Sequence, residues 1–441
     1  MAGRAVTVLA DQEVEILAIG AGPSNLALAV AVEELAPPGV ASDTLVIERY
    51  ESIMWQRGML LPWTQSQVSF LKDLVTLRNP LSRFSFINYL HSAGKLDSFI
   101  NMASFLPFRL EISDYLEWVA KSLDRVRIEY SRDCVGIDPV ASDGAATGWL
   151  ARMADGSTIA ARNLVFGAGR DAHIPAAFAG LPRERVIHST EYARRIADVD
   201  PEALDRIVVV GAAQSAAEVL WDAYQRFPRA RCTMVIRSIG LEYYQTSKFG
   251  NELYFPSYTD KFFAAPEQTR EQVLQAMRMT NYAGVTPDML HTLYRQMYQE
   301  RLTGEQRLSM VTMVDVEAAE MVDGEIVLTL NDRMRACRDE LRCDLVLLGT
   351  GFEGRPPSLV RDLADVCGVG DVRVSRNYRM ITPPDITAGC YLQGTNEATH
   401  GIADSLISVL AVRAGEIVTD LLAHGKETGR QSDADSALMW A

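Results

Sequence analysis

VEILAIGAGPSNLALAVAVEEL, residues 14–35, carries the fold in one stretch. Its first seven residues are a near-continuous apolar run, the mark of a parallel strand buried on both faces. The glycines that follow break the run and open a helix made of small and apolar residues. TLVIE (44–48) supplies a second strand, with Glu48 at its end. Strand, glycine turn, helix and strand ending in an acid make a dinucleotide-binding unit. In GAGPSN, Gly20 permits the tight turn and Gly22 lets the backbone approach a diphosphate. The helix beginning near Pro23 aims its free amides and positive dipole end at that anion. Glu48 is placed to accept from ribose hydroxyls. Asn25 occupies the position of the usual third glycine and is counted with Gly20, Gly22, Pro23 and Glu48 among the residues expected to bind the cofactor.

A second unit begins at RIVVVGAAQSAAEVLWDAY (206–224), followed by the strand-like CTMVIR (232–237). It keeps Gly211 but has Ala213 and Ala216 where glycines are expected. Arg237 ends that second strand, in the place where the first unit has its acid. A guanidinium there pairs with a 2′-phosphate that an acid would repel, which favours NADPH over NADH. NLVFGAGRDAHIP (163–175) and DLVLLGTGFEGRPP (344–357) each run from an apolar strand into glycine.

The expected fold is therefore α/β, with two Rossmann-like domains and the second inserted in the first. The ranges are 13–200 plus 341–423 for the first and 201–340 for the second. Within the latter, 241–300 is rich in Tyr, Phe, Asn and Met and reads as a small, mostly helical excursion over the cleft. Residues 425–441 read as a frayed tail.

With 441 residues, 48% of them hydrophobic, the chain can bury a large core. A formal net charge of -14, with no basic stripe, argues against nucleic acid. No stretch of eighteen uncharged apolar residues implies a membrane span, and no secretory signal is expected, so the reading is cytoplasmic. The six cysteines are scattered without a CxxC, and the six histidines form no HxxxH or HxH pair. Neither a redox dithiol nor a metal centre is expected. Two nucleotide units then imply a relay from NADPH to FAD, with molecular oxygen as the simplest acceptor.

Six segments carry a closer resemblance: GAGPSN (20–25), MWQRGM (54–59), QVSFLKDLVTLRNP (67–80), GAAQSAAE (211–218), LGTGF (348–352) and NEATHGIADSLIS (396–408). Together they resemble the microbial flavoprotein monooxygenases that N-hydroxylate amino acids for siderophore biosynthesis, the L-ornithine N5- and L-lysine N6-monooxygenases. The resemblance implies that Lys72 holds the substrate's α-carboxylate. It also implies that Asn251 and Asn281 are substrate asparagines, that Gln67 lies near the isoalloxazine ring, and that Leu406 and Ser408 line the amine end. Ser215 and Arg237, with Gln214, fall to NADPH, and Thr350, Gly351 and His400 join the cofactor set. Of these, Gln67, Lys72 and Asn281 are the residues implied for catalysis. A homo-oligomer, dimer or tetramer, is implied as well.

The reaction so implied passes through a C4a-hydroperoxyflavin, whose distal oxygen is attacked by the neutral side-chain amine of L-ornithine. L-Lysine is the alternative substrate, one methylene longer. A Baeyer–Villiger or sulfur-oxidising monooxygenase shares the paired nucleotide units but has no use for Lys72 with Asn251 and Asn281. A binding protein on an inactive nucleotide scaffold is the non-enzyme reading.

Overall fold

The structure, a computed structural model, describes residues 10–427 apart from 143, 246 and 282. The stretch 14–35 folds as its pattern dictates: β1 (Gln12–Ile19), the glycine turn, and a helix Pro23–Leu35. Around β1 stand β2 (Thr44–Ile47), β3 (Arg127–Glu129), β4 (Cys134–Ser142), β5 (Ala145–Met153), β6 (Thr158–Phe166) and β17 (Gly389–Leu392). Their order is β3-β2-β1-β6-β5-β4, with β17 also on β6. β1 pairs in parallel with β2 and β6, so that Ala18 faces both Val46 and Val165. β4, β5 and β6 are antiparallel. Residues 25–32 of the helix are all buried, because helix Leu410–Glu427 covers the side that the sheet does not.

The second sheet is wholly parallel: β7 (Val186–His188), β8 (Arg206–Val210), β9 (Arg231–Val235), β12 (Leu308–Val311) and β16 (Leu345–Leu348), in the order β12-β9-β8-β16-β7. Its helix Gln214–Arg226 follows β8 directly. Beside it, β13 (Val314–Val322), β14 (Glu325–Asp332) and β15 (Cys337–Cys343) form a three-stranded antiparallel sheet.

The second sheet reaches beyond 201–340. β7 and β16 both belong to it, although the ranges 13–200 and 341–423 gave them to the first domain. The apolar strand running into GTG is the second unit's own counterpart of NLVFGAG, and strand pattern alone does not say which sheet a strand joins. The chain crosses between the sheets twice, near residues 167–175 and 349–357. The two crossings are bridged at Ala172 and Phe352 and by the His173 amide donating to Gly351 O at 2.9 Å.

The segment 241–300 is mostly helical, with a minimal parallel pair β10 (Glu242–Tyr243) and β11 (Gly284–Val285) and the long helix Pro287–Thr303. Tyr254 and Met277 bury against Ile402, Ala403 and Val409, so the excursion is clamped onto the returning THGIADSLIS stretch. Helix Leu410–Glu427 continues into the stretch expected to fray, and 428–441 lie outside the described residues.

Candidate active site

A cleft of about 1520 Å³ runs between the two sheets and is lined by both glycine turns, Gly20–Ser24 and Gly211–Ser215. It exceeds the usual 300–1000 Å³ of a single small-molecule pocket, in keeping with two extended ligands.

The two turns are built alike. Gly20 has φ +89° and Gly211 φ +140°, conformations that side chains resist. A Cβ on Gly20 would lie 2.9 Å from Ala168 Cα, and one on Gly211 would lie 2.4 Å from Gly349 O. Each turn thus backs onto the glycine end of a later strand, which is why NLVFGAG and LGTGF repeat. The helices beginning at Pro23 and Gln214 have neither a side-chain cap nor an acid in their first turns. Their leading amides and positive dipole ends are left for an anion. A Cβ on Gly22 would touch only Gly167 O, at 3.7 Å, so the missing side chain leaves space in front of the helix. Ala213, with φ -111°, is extended and carries its methyl without strain.

Glu48 lines the cleft just beyond β2, accepting from Ala21 N at 2.9 Å and Tyr50 N at 3.1 Å. It braces the turn and keeps lone pairs for ribose hydroxyls. Arg237 lies two residues beyond β9, exposed in the cleft, with no carboxylate in ion-pair range among the described residues. Thr350 and Gly351 line the cleft too, while Thr350 Oγ1 donates to His173 O across the double crossing. Gln214 is bound on both sides, Nε2 to Glu218 at 2.9 Å and Oε1 accepting from Thr286 N at 2.8 Å. Ser215 sits beside it in the lining.

Two residues expected to touch cofactor do not line the cleft. Asn25 is fully buried beneath the first turn, donating to Ile19 O at 3.0 Å and Gly20 O at 2.8 Å and accepting from Gln393. It stands where Ala216 stands in the second turn, and packs against Gly167 as Ala216 packs against Gly349. Its amide satisfies carbonyls at strand ends, so its position beside glycine reflects support of the turn. His400 is 3% exposed, stacked on Tyr378 at 4.2 Å, with Nε2 against Arg376 O and Nδ1 against Thr399. Burial pushes its pKa down. Both ring nitrogens are engaged, which makes it a neutral pin under the site.

Lys72 brings three parts of the chain together. Its Nζ donates to Ser408 Oγ at 3.3 Å and sits 4.5 Å from the centre of the Phe255 ring. Ser408 comes from the returning chain and Phe255 from the excursion. Lys72 is half-buried, burial lowers its pKa, and no carboxylate pairs with it among the described residues. The neighbouring Asp73 points elsewhere: 6% exposed, it accepts from the amides of Val75, Thr76 and Phe86 and from Thr76 Oγ1. It fixes the bend that presents Lys72.

Gln67 and Asn281 both line the cleft, and Gln67 Nε2 and Asn281 Nδ2 are buried donors with no hydrogen-bond partner among the described residues. Both amides are therefore available to a ligand in the cleft. Leu406 lines the cleft as well. Asn251 ends the short helix Lys248–Asn251, four residues before Phe255, and no hydrogen bond joins its side chain to Lys72 or Asn281 among the described residues. The residues present fit two dinucleotides and a carboxylate-bearing ligand.

The cysteines are all free, burial pushes the Cys232 and Cys343 thiols up to about 12, and no cluster able to hold a metal occurs among the described residues. No helix among the described residues is long and apolar enough to cross a membrane.

Phe255, Asp73 and the ion pair between Arg109 and Glu218 were missed by sequence reasoning. Phe255 had one signal, its aromatic ring within FGNELYFP. Asp73 had another, the habit of aspartate to accept from backbone amides two and three residues further on. Arg109 and Glu218 had none, being 109 residues apart.

Comparison with known proteins agrees with this geometry. Residues 12–354 match the family model described as L-lysine 6-monooxygenase/L-ornithine 5-monooxygenase. An L-ornithine N(5)-monooxygenase from Burkholderia cepacia is 40% identical over 402 residues, covering 88% of this chain and 89% of that protein. The solved ornithine hydroxylase of Pseudomonas aeruginosa superposes with a TM-score of 0.87 at 34% identity, covering 93% of this chain and 99% of that one. The Kutzneria sp. 744 ornithine N-hydroxylase, in its form with reduced FAD, NADP⁺ and L-ornithine, gives the same TM-score, identity and coverage. With its paired glycine turns, its uncommitted lysine and this similarity over nearly its whole length, the chain belongs to the L-lysine 6-monooxygenase/L-ornithine 5-monooxygenase family.

Proposed function

We propose that the protein hydroxylates the side-chain amine of L-ornithine to N5-hydroxy-L-ornithine, using NADPH and molecular oxygen, with Lys72 as the anchor of the substrate's α-carboxylate. The state of Lys72 carries the anchor: a half-buried ammonium held by a hydroxyl and an aromatic face, with no carboxylate beside it among the described residues. Burial penalises that charge before substrate binds, and an arriving carboxylate relieves the penalty.

The first glycine turn and Glu48 would hold FAD, which would supply the oxygen-activating chemistry with NADPH as the source of electrons. The chain's own residues do the rest by placement. Fixing the carboxylate at Lys72 Nζ aims the other end of the amino acid into the cleft. Asn281 Nδ2 and Gln67 Nε2 are unpartnered buried donors of the cleft among the described residues, Asn281 assigned to the substrate and Gln67 to the flavin edge. Asn251 is assigned as the second substrate asparagine on the family resemblance, four residues before Phe255 on the excursion. The amine has to lose its proton before it can attack oxygen. Keeping an alkyl ammonium of pKa near 10.4 neutral at pH 8 costs about 3 kcal/mol, and desolvation beside Leu406 acts in the required direction. A carboxylate at that end would hold the proton on, so the anchor's charge and the amine's neutrality are kept at opposite ends of one ligand. The NADPH site is assigned to Gly211, Gln214, Ser215 and Arg237. A cytoplasmic homo-oligomer, dimer or tetramer, completes the reading, and light scattering that returned a monomer of 48.7 kDa would remove its oligomeric part.

The test is hydroxylamine formation measured beside NADPH consumption for ornithine, lysine, putrescine and a ketone. Ornithine is expected to be oxidised best, and putrescine, which lacks the carboxylate, poorly. Putrescine used as well as ornithine refutes the anchor. Preference for lysine changes the substrate, and product from the ketone alone overturns the reaction.

A further inference from the structure

Arg109 and Glu218 form an ion pair that the proposed chemistry does not use. The guanidinium and carboxylate meet in bidentate fashion at 2.7 and 2.8 Å, 7% and 2% exposed. Arg109 begins the helix Arg109–Lys121 of the first sheet's unit and also donates to Met59 O at 3.3 Å. Glu218 lies one turn inside the helix that opens the second nucleotide site. Buried pairs of this kind give little net stability, since desolvation cancels most of the attraction, and apolar replacement of both members is often neutral.

The pair's other bonds show what it is joined to. Glu218 Oε1 also accepts from Gln214 Nε2 at 2.9 Å, and Gln214 is the first residue of that helix, facing the cleft. Gln214 Oε1 in turn accepts the Thr286 amide at 2.8 Å. Thr286 stands just before the helix Pro287–Thr303, at its N-cap position without a side-chain capping bond, and lies five residues beyond Asn281 in the sequence. One chain of hydrogen bonds therefore runs from Met59 O through Arg109, Glu218 and Gln214 to Thr286. Arg109 opens a helix packed in the first unit's core and Glu218 lies on a helix of the second, so the chain joins the two units, passes the mouth of the second glycine turn, and ends five residues beyond Asn281.

We propose that Arg109 and Glu218 are positioning residues: through Gln214 they set the opening of the second nucleotide helix and the Asn281 segment in register with the first nucleotide site. The carboxylate oxygen of Glu218 that faces Gln214 is the essential link, and the charge of the pair serves to hold that oxygen still. The proposal rests on the assignments of Gln214 and Asn281 made above.

Two double variants separate positioning from packing. R109M/E218Q keeps an oxygen facing Gln214, whereas R109M/E218L removes it, and neither leaves a buried charge unpaired. Both are expected to retain FAD and to melt within a few degrees of each other. Loss of one hydrogen bond in the chain raises the NADPH dissociation constant of R109M/E218L roughly three- to tenfold over R109M/E218Q, read from single-turnover flavin reduction without amine. Less hydroxylamine per NADPH consumed is expected from R109M/E218L as well. Equal dissociation constants and equal coupling in the two variants, or equal loss of FAD from both, would overturn the proposal and leave the pair a packing element. The reduction measurement needs no amine, so it stands even where ornithine proves not to be the substrate; that failure shows in the unmodified protein alone.

Discussion

Replacing Lys72 with methionine keeps the aliphatic stem and removes only the ammonium. In the structure that ammonium has one hydroxyl at 3.3 Å and one ring face at 4.5 Å. A charge-assisted contact to a carboxylate contributes about 1.5–3 kcal/mol, and at roughly 1.4 kcal/mol per decade this is about ten- to more than hundredfold in kcat/KM for ornithine. Flavin reduction by NADPH, measured by stopped flow without ornithine, should survive, because Lys72 touches neither glycine turn. Stability moves the other way. Burial lowers the folded-state pKa of Lys72, so folding penalises the charged form. The penalty is fully present below that lowered pKa and disappears as pH rises past the unfolded value. At neutral pH Lys72→Met should therefore leave the melting temperature unchanged or raise it. The same linkage predicts that L-norvaline, which has the carboxylate and no side-chain amine, competes with ornithine best below the pKa that Lys72 has without ligand. Its affinity should fall as pH rises from that value toward the higher pKa of the complex, and be flat in the methionine variant. An unchanged kcat/KM for ornithine, or loss of flavin reduction in step with it, refutes the anchor.

Asp73→Asn should destabilise by about 1–3 kcal/mol, since one of the four donors gathered on the carboxylate, the buried Phe86 amide, would meet an amide NH₂; thermal melting and the ornithine KM are the readouts, and an unchanged KM would show that the bend does not present Lys72. Asn25→Gly restores the glycine of the common fingerprint, yet it should lower stability by about 1–3 kcal/mol and weaken FAD retention, because Gly20 O loses the Asn25 amide, Ile19 O keeps only Gly167 N, and Gln393 Nε2 loses its acceptor. Flavin content equal to that of the unmodified protein would contradict this. Arg237→Ala should raise the KM for NADPH roughly ten- to more than hundredfold, at about 1.5–3 kcal/mol for a charge-assisted contact, and narrow the preference over NADH. An unaltered NADPH/NADH ratio removes the assignment.

The parallel strands, the two glycine turns and the helical excursion were legible because each is written locally, in an apolar run, a glycine or an aromatic-rich stretch. The allocation of β7 and β16 was not, since sheet membership is decided by pairing partners far away in the chain. Lys72 was singled out through its block, whereas its partners Phe255 and Ser408 stand in the middle and near the end of the sequence, where no local pattern ties them to it. Ser408 was named, by resemblance, for the amine end; the structure puts its hydroxyl on Lys72. Asn25 misled because a polar residue next to a phosphate-binding glycine has two uses, and its direction is fixed by the strand-end carbonyls beneath it. His400 misled for the same reason: a histidine's neighbours in sequence do not reveal that both of its nitrogens are already spent.

β17 lies beside β6, yet the whole inserted sheet is threaded between them in the chain. The helix covering Pro23–Leu35 comes later still, at Leu410–Glu427. During synthesis, at about 5–20 residues per second, β6 has left the ribosome well before its last neighbour is made. The inserted sheet, whose strands all fall between 186 and 348, is complete first. The first glycine turn thus waits, half-covered, for the end of the chain, and a protein truncated before residue 389 would carry a finished pyridine-nucleotide unit beside a flavin unit that lacks its closing strand and helix.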